Sequence, residues 1–368
     1  MKLTINRTKL IECVTKASKV IVGRLSLPAL LCVLLDAKTG VLTATCSDLD
    51  RYLSIQSEAT VDTEGSCAVS ASRLGAALQK MDSLDVNLVH EKGKLTVTGG
   101  ERVMNLFTLP VEEFPKIPAT LDGAVEIPAG LLGTTIAAVA PFASNDPSRE
   151  RVCGVCMHYR KDLRSMAAVA TTGKVLGLKL VESMPKLPAE AIIPNASVKI
   201  LVALDGADAP QDSVTSFAIG ESGIRARGHD WTLCSKLIEG EYPNYAPIIP
   251  AEGKFNITFA RSEMLAALAF AGLCVSETAP SVKVAASESE ITISSNTPGQ
   301  CDGVAPVERL GSKKDRKPTE VAYAPDQLRQ ALALVGGEEC TINLQSASDP
   351  CLIRNGDATA VLMPYRIQ

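Results

Sequence analysis

The sequence predicts an α+β fold made of three tandem copies of one domain-sized unit. Three observations predict it. First, a short apolar strand, a small polar break and an amphipathic helix follow one another at Cys67–Met81, again at Ala191–Leu204 and again at Val321–Val335. The spacing is roughly 120–130 residues, the size of a whole domain rather than of a solenoid repeat. Second, each third opens with a strand running into a helix: Leu3–Asn6 into Arg7–Ile21, Val125–Pro128 into Ala129–Val139, and Asn256–Phe259 into Arg261–Leu273. Third, each third closes on a strand pair around a tight turn. A chain that repeats a domain builds a large symmetric surface more readily than a single catalytic cleft.

The closing hairpins follow from turn chemistry. Leu95–Thr98 and Val103–Phe107 flank Gly99-Gly100, Ile224–Arg227 and Trp231–Cys234 flank Gly228-His229-Asp230, and Leu352–Arg354 and Ala358–Met363 flank Asn355-Gly356-Asp357. Gly and Asn supply the positive φ that hairpin turns require. Proline and acidic residues interrupt the pattern at Phe114–Pro118 into Leu121-Asp122-Gly123, and at Tyr242–Pro250 into Ala251-Glu252-Gly253. The expected domains are therefore 1–120, 121–250 and 251–368. Gly311–Pro318 reads as an exposed basic loop.

With 46% apolar and 21% charged residues, the 368-residue chain can bury substantial cores. Its net charge of −4 implies no global attraction to nucleic acid or to an anionic membrane, so any DNA contact must be a local basic patch. No apolar run reaches membrane-span length and the start lacks a signal-peptide core, which makes a cytoplasmic location the expectation. Eleven scattered cysteines, an odd number in mostly apolar settings, read as reduced structural thiols.

The motifs that carry catalysis or metal binding are thin. Cys153-Gly154-Val155-Cys156 is a C-x-x-C with His158 nearby, but Arg151–Tyr159 reads as a strand and no second C-x-x-C completes a tetrahedral site. His90, His158 and His229 lie in no recognisable ligand or nucleophile pattern. No phosphate-binding or nucleophile-elbow motif occurs. No catalytic residue, metal or cofactor is therefore expected. The first helix is more informative: Arg7, Lys9, Lys16 and Lys19 outweigh Glu12, Arg24 follows, and the second helix adds Arg73 and Lys80. Such residues suit sequence-independent phosphate contacts. The later helices carry only Lys199, Arg261 and Arg329 in comparison.

These residues sit among motifs that resemble a known family. Gly23-Arg24-Leu25-Ser26-Leu27-Pro28-Ala29-Leu30 resembles the G-R-x-x-L-P-x-L of the bacterial DNA polymerase III beta subunit, the sliding clamp. Ser47–Asp50 resembles its T-D-L-E, Thr108–Pro115 its T-L-P-x-x-[DE]-F-P, Asn296-Thr297-Pro298 its N-N-P, and Val361–Ile367 its V-V-M-P-M-R-L. Ser235–Tyr245 resembles S-[KR]-L-[IV]-[DE]-G-x-[FY]-P-[DN]-Y, the most specific match. The matches run in order over nearly the whole chain.

The resemblance implies three clamp domains, each with helices on one side and sheet on the other. It implies two subunits joined head to tail into a pseudo-six-fold ring around duplex DNA. It implies no catalysis, and as partners the polymerase III catalytic subunit, a clamp loader and other clamp-motif proteins. DNA contacts would fall to Arg7, Lys9, Lys16, Arg24, Arg73 and Lys80. A partner-peptide pocket would use Val152, Thr171, Gly173, Lys174, Leu176, Pro243, Ile248, Val361, Met363, Pro364 and Tyr365. The subunit interface would use Met104, Leu106, Leu273 and Cys274. Departures are specific. The family's A-T-D-G-H-R-L is Ala170-Thr171-Thr172-Gly173-Lys174-Val175-Leu176, and the acidic cluster after N-N-P is reduced to Asp302 within Gly299–Val304. A divergent clamp, with an altered pocket rim and a more apolar ring closure, is the expectation. The alternative is a peptide-binding relative with altered partners or weak closure.

Overall fold

The computed structural model describes residues 1–22, 27–118, 121–210, 212–251, 255–276, 280–311, 319–344 and 346–365. Arg24 and most of the 311–318 loop lie outside the described residues.

The triple repeat is present element by element. The opening strands Lys2–Asn6, Val125–Pro128 and Phe255–Ala260 lead into helices α1 (Arg7–Ala17), α3 (Leu131–Val139) and α5 (Arg261–Ala271). The strands Gly65–Ser70, Ala191–Pro194 and Thr319–Tyr323 lead into α2 (Ala71–Gln79), α4 (Asn195–Leu204) and α6 (Pro325–Val335). Local chemistry sets the starts. Asn6 accepts from the backbone N–H groups of Thr8 and Lys9, and Ser70 accepts from that of Arg73. α1 ends at Ala17, short of the expected Ile21, because Ser18 Oγ donates back to Val14 O at 2.6 Å and the chain tightens into a 3-10 turn over Ser18–Val20.

Strand pairing is antiparallel throughout the described residues, in sheets of thirteen, eight and four strands. The chain divides into two compact units, Met1–Gly133 with Lys199–Leu237, and Thr134–Val198 with Ile238–Gln368. The thirteen-stranded sheet lies in the first. There the strand Trp231–Lys236 pairs with Arg51–Glu58, so segments of the first and second repeats share one sheet. The other two sheets lie in the second unit, where Ala358–Leu362 pairs with Val175–Val181 in the corresponding way. In the first unit α1 and α2 pack on each other and bury Leu10, Val14, Leu74 and Leu78 with Leu35, Leu53 and Ile55.

All three closing hairpins form, the first and third with tighter turns than expected; in the third, Asn355 pairs with Ala358 and leaves Gly356-Asp357 as the turn. The first turn is Gly100-Glu101 rather than Gly99-Gly100, since Gly99 pairs with Arg102. The two glycines serve different ends. Gly100 takes the positive φ (62°), whereas a Cβ on Gly99 would sit 2.9 Å from Met81 Sδ. The C-x-x-C expectation is also refined. Pro147–Val152 is a 3-10 segment capped by Asp146, and the strand begins only at Gly154. Cys153 therefore stands outside the strand that holds Cys156. Burial pushes the Cys156 thiol well up, away from the thiolate that a metal would need.

Candidate functional site

Three surfaces carry the residues singled out by sequence. The first is an apolar cluster in the second unit with the residues beside it in sequence. The register of the strands at 175–181 and 358–362 puts Leu176 opposite Val361. Val152, Leu176, Val361, Tyr242 and Tyr245 join the cluster. Pro243, Ile248 and Met363 are exposed, with Pro364 and Tyr365 half-buried. Met363 is held by its backbone N–H, which donates to Lys174 O at 2.9 Å, and Tyr365 by its N–H to Ala322 O at 2.7 Å.

The turn Thr172-Gly173-Lys174 links the strands Ser165–Thr171 and Val175–Val181, with Gly173 at φ 85°. Thr171 Oγ1 accepts from Gly173 N at 2.9 Å, and Thr172 Oγ1 accepts from Lys174 N and Val175 N at 3.3 Å each. The hydroxyl of Thr172 thus caps the turn where the family motif has Asp. Arg149 Nη1 donates to Thr172 O at 2.6 Å, which lays a guanidinium over the turn. Sequence reasoning missed Arg149; the run Arg149-Glu150-Arg151 was visible as charge, but nothing local ties it to residue 172.

Within the cluster, Tyr245 OH bonds His158 Nε2 at 2.8 Å and accepts from Arg160 Nη1 at 3.3 Å. Arg160 Nε donates to Asp162 Oδ1 at 2.8 Å, and that contact holds the Asp162 carboxyl down at about 2. Burial pulls His158 below its ordinary value. These contacts fix Tyr245 in place.

The second surface is the basic helix pair. Lys9 and Lys16 lie seven residues apart on α1, and therefore on one face. Lys9 pairs with Glu58 at 3.3 Å in solvent, and Lys16 stays half-exposed. Arg7 is committed inward: its Nη1 donates to Met81 O, tying the start of α1 to the end of α2. Arg73 and Lys80 are exposed and share a face of α2, but they also line a groove of about 480 Å³ beside the strand Arg102–Leu109.

The third surface consists of two strand edges. In the first unit Arg102–Phe107 pairs with Lys94–Gly99, and on the strand's other side, among the described residues, only Thr108 and Leu109 find partners. Arg102 to Phe107 are left as an open edge. Leu106, expected at the surface, is 6% exposed and packs inward, whereas Phe107, not singled out, is 85% exposed. Met104 is exposed and lines the α2 groove. In the second unit Cys301–Glu308 is the outermost strand of the four-stranded sheet. Beside it α5 and the 3-10 turn Gly272–Cys274 present Phe270 and a 79% exposed Leu273. Open edges with apolar side chains are templates for pairing with another chain.

Comparison with known proteins follows the same lines. The family profile described as DNA polymerase III beta subunit, N-terminal domain, matches residues 1–118, and its C-terminal domain counterpart matches 246–366. The beta sliding clamps of Vibrio cholerae and Bacillus subtilis are each 26% identical to the chain, over the full length of both partners. Among solved structures, a DNA polymerase III subunit beta from Pseudomonas aeruginosa bound to griselimycin superposes with a TM-score of 0.89 at 23% identity, and a clamp from Bartonella birtlesii, also bound to griselimycin, with 0.91 at 22%, each with full coverage of both chains. The chain belongs to the DNA polymerase III beta subunit family.

Proposed function

We propose that this protein is a sliding clamp: a processivity factor that encircles duplex DNA and tethers the replicative polymerase and other partners through a peptide-binding pocket beside the apolar cluster described above. It works in the cytoplasm, without catalysis. The observation that carries the reading is the pair of complementary open edges in a chain of this family. One lies in the first unit at 102–107 and the other in the last repeat at 301–308. Two chains placed head to tail would pair edge with edge twice, which closes a ring. Leu273 and Phe270 of one chain suit the groove between α2 and Met104 of the other. The three domains of each chain would then run 1–120, 121–250 and 251–368.

The physics of a ring relaxes the demand on DNA affinity. Topology prevents escape, so Lys9, Lys16 and the neighbouring cations need only mobile phosphate contacts, and the net charge of −4 is no obstacle. Tethering raises the local concentration of a polymerase at its template without any new contact to DNA. Exposed Ile248 and Met363 beside the apolar cluster, with the polar turn at 172–174, suit a short linear peptide with apolar anchors. The ring is opened by a separate loader.

Light scattering over a dilution series tests the reading. The expected mass is twice 38.8 kDa, and Leu273→Asp should reduce it to one chain. A wild-type monomer at micromolar concentration would sink the ring and leave a peptide-binding relative of the clamp. Reversing Lys9 and Lys16 to Glu should shorten retention on circular DNA while leaving the mass unchanged.

A further inference from the structure

Two cysteines meet at the edge of the four-stranded sheet. In the strand Cys301–Glu308 the buried residues are Gly303, Ala305 and Val307, so Cys301 shares their inward face. That face is covered by the end of α5 and the turn Gly272–Cys274. A Cβ on Gly303 would lie 3.4 Å from Cys274 Cβ and 3.2 Å from Ala271 Cα. Thr297, the cross-strand partner of Cys301, donates its Oγ1 to Cys274 O at 2.9 Å. Both side chains consequently sit on this face, and Cys301 is the neighbour that most raises the Cys274 thiol. Cys301 is exposed and Cys274 partly so, whereas all the other cysteines except Cys153 are buried. Burial pushes Cys46 and Cys67 up to about 12, which keeps them inert.

We infer that Cys274 and Cys301 form a reactive dithiol, a modification site that a small-molecule disulfide oxidises to an intramolecular cystine. The Cys301 thiolate attacks one sulfur of the small disulfide. That S–S bond breaks, one small thiolate leaves, and a mixed disulfide forms on Cys301. The Cys274 thiolate then attacks Cys301 Sγ, closing the cystine and releasing the second small thiolate. The protein loses two electrons and two protons, and the disulfide is reduced to two thiols. The neighbouring Cys301 thiol, burial and the Asp302 carboxylate push the Cys274 thiol up, so the first attack falls to the exposed Cys301. The bond would tie the turn that carries Leu273 to the open strand edge. The chemistry needs the pair reached while this edge is open, as it is in a single chain; its effect on subunit association rests on the ring reading.

The test treats the full-length chain with oxidised glutathione and maps its peptides without reduction. The expected result is the loss of two titratable thiols, one cystine joining 274 to 301 within a chain, and no glutathione retained on that pair. Cys274→Ser should trap one glutathione on Cys301. Thiols at 274 and 301 that stay free, a lasting glutathione on wild-type Cys301, or a cystine between two chains would each overturn the proposal. A monomeric chain that still forms the internal cystine would overturn the ring alone. A ring whose dissociation is the same in both redox states would remove the coupling to assembly.

Discussion

The first unit and the second each contain the same turn, dressed differently. Asp48-Leu49-Asp50 follows the strand Val41–Ser47 as Thr172-Gly173-Lys174 follows Ser165–Thr171. Ser47 Oγ accepts from Leu49 N as Thr171 Oγ1 accepts from Gly173 N. Asp48 Oδ1 accepts from Asp50 N and Arg51 N, the role that Thr172 Oγ1 plays for Lys174 N and Val175 N. Leu49 takes φ 78° where Gly173 takes 85°. Lys236 N donates to Asp50 O at 2.9 Å, as Met363 N does to Lys174 O. The difference is what stands around the turn. The first is locked by the ion pair of Arg51 and Asp48, whose side chains are 12% and 10% exposed, and borders a cavity of about 330 Å³ rimmed by Arg225 and by Lys236 paired with Asp50. The second has an exposed, apolar Met363 where the first has Lys236. The repeat fixes the backbone, and the side chains lock one copy with an ion pair and cap the other with a neutral hydroxyl.

Substitutions at equivalent positions can break that comparison. Asp48→Ala strands a buried guanidinium and uncaps the turn, so it should cost about 3 kcal/mol. Thr172→Ala removes only a neutral acceptor and should cost about 1 kcal/mol. Urea melts of both variants check this, and equal losses would mean that the ion pair is not the difference. Gly173→Ala should cost roughly 1–2 kcal/mol, since its φ suits glycine and a Cβ would lie 2.5 Å from Arg149 Nη2. Leu49→Gly gains a similar amount in backbone fit but gives back about 1 kcal/mol of chain entropy, so its midpoint should stay near wild type.

Function sharpens the same contrast. Met363→Ala should weaken binding of a fluorescent clamp-motif peptide by about tenfold, the scale of one apolar anchor. Lys236→Ala, at the equivalent place, should leave it unchanged. The smallest effect is that of pH. His158 has its folded-state value held below the ordinary 6.5 by burial, so the unfolded chain takes up the proton first. Stability is full above about pH 6.5 and falls as pH drops from there to the folded-state value, below which this contribution is constant. Since burial also lowers His90, the loss should shrink but not vanish in His158→Gln; an unchanged pH profile would remove His158 from the account.

The positions expected to take a partner peptide, Thr171, Gly173, Leu176 and Val361 among them, are named through resemblance to the family's motifs; composition and spacing alone do not single them out. The misread positions depend on distant neighbours. Val103, Leu106 and Phe107 are all apolar, and only the packing of α2 decides that Leu106 goes inward while Phe107 faces out. Arg7 looks like its neighbour Lys9 in sequence, yet the carbonyl of Met81, seventy-four residues on, captures its guanidinium. Arg149 meets Thr172 across twenty-three residues for the same kind of reason.

By itself, then, the sequence determined the three copies, their strands, helices and turns, because capping, φ preference and hydrophobic period act over short stretches of chain. The tertiary structure alone decided which cations stay free, which strand edges stay open and which two thiols meet. Burial is a property of the space between elements, and a residue's exposure depends on what packs against it from far along the chain.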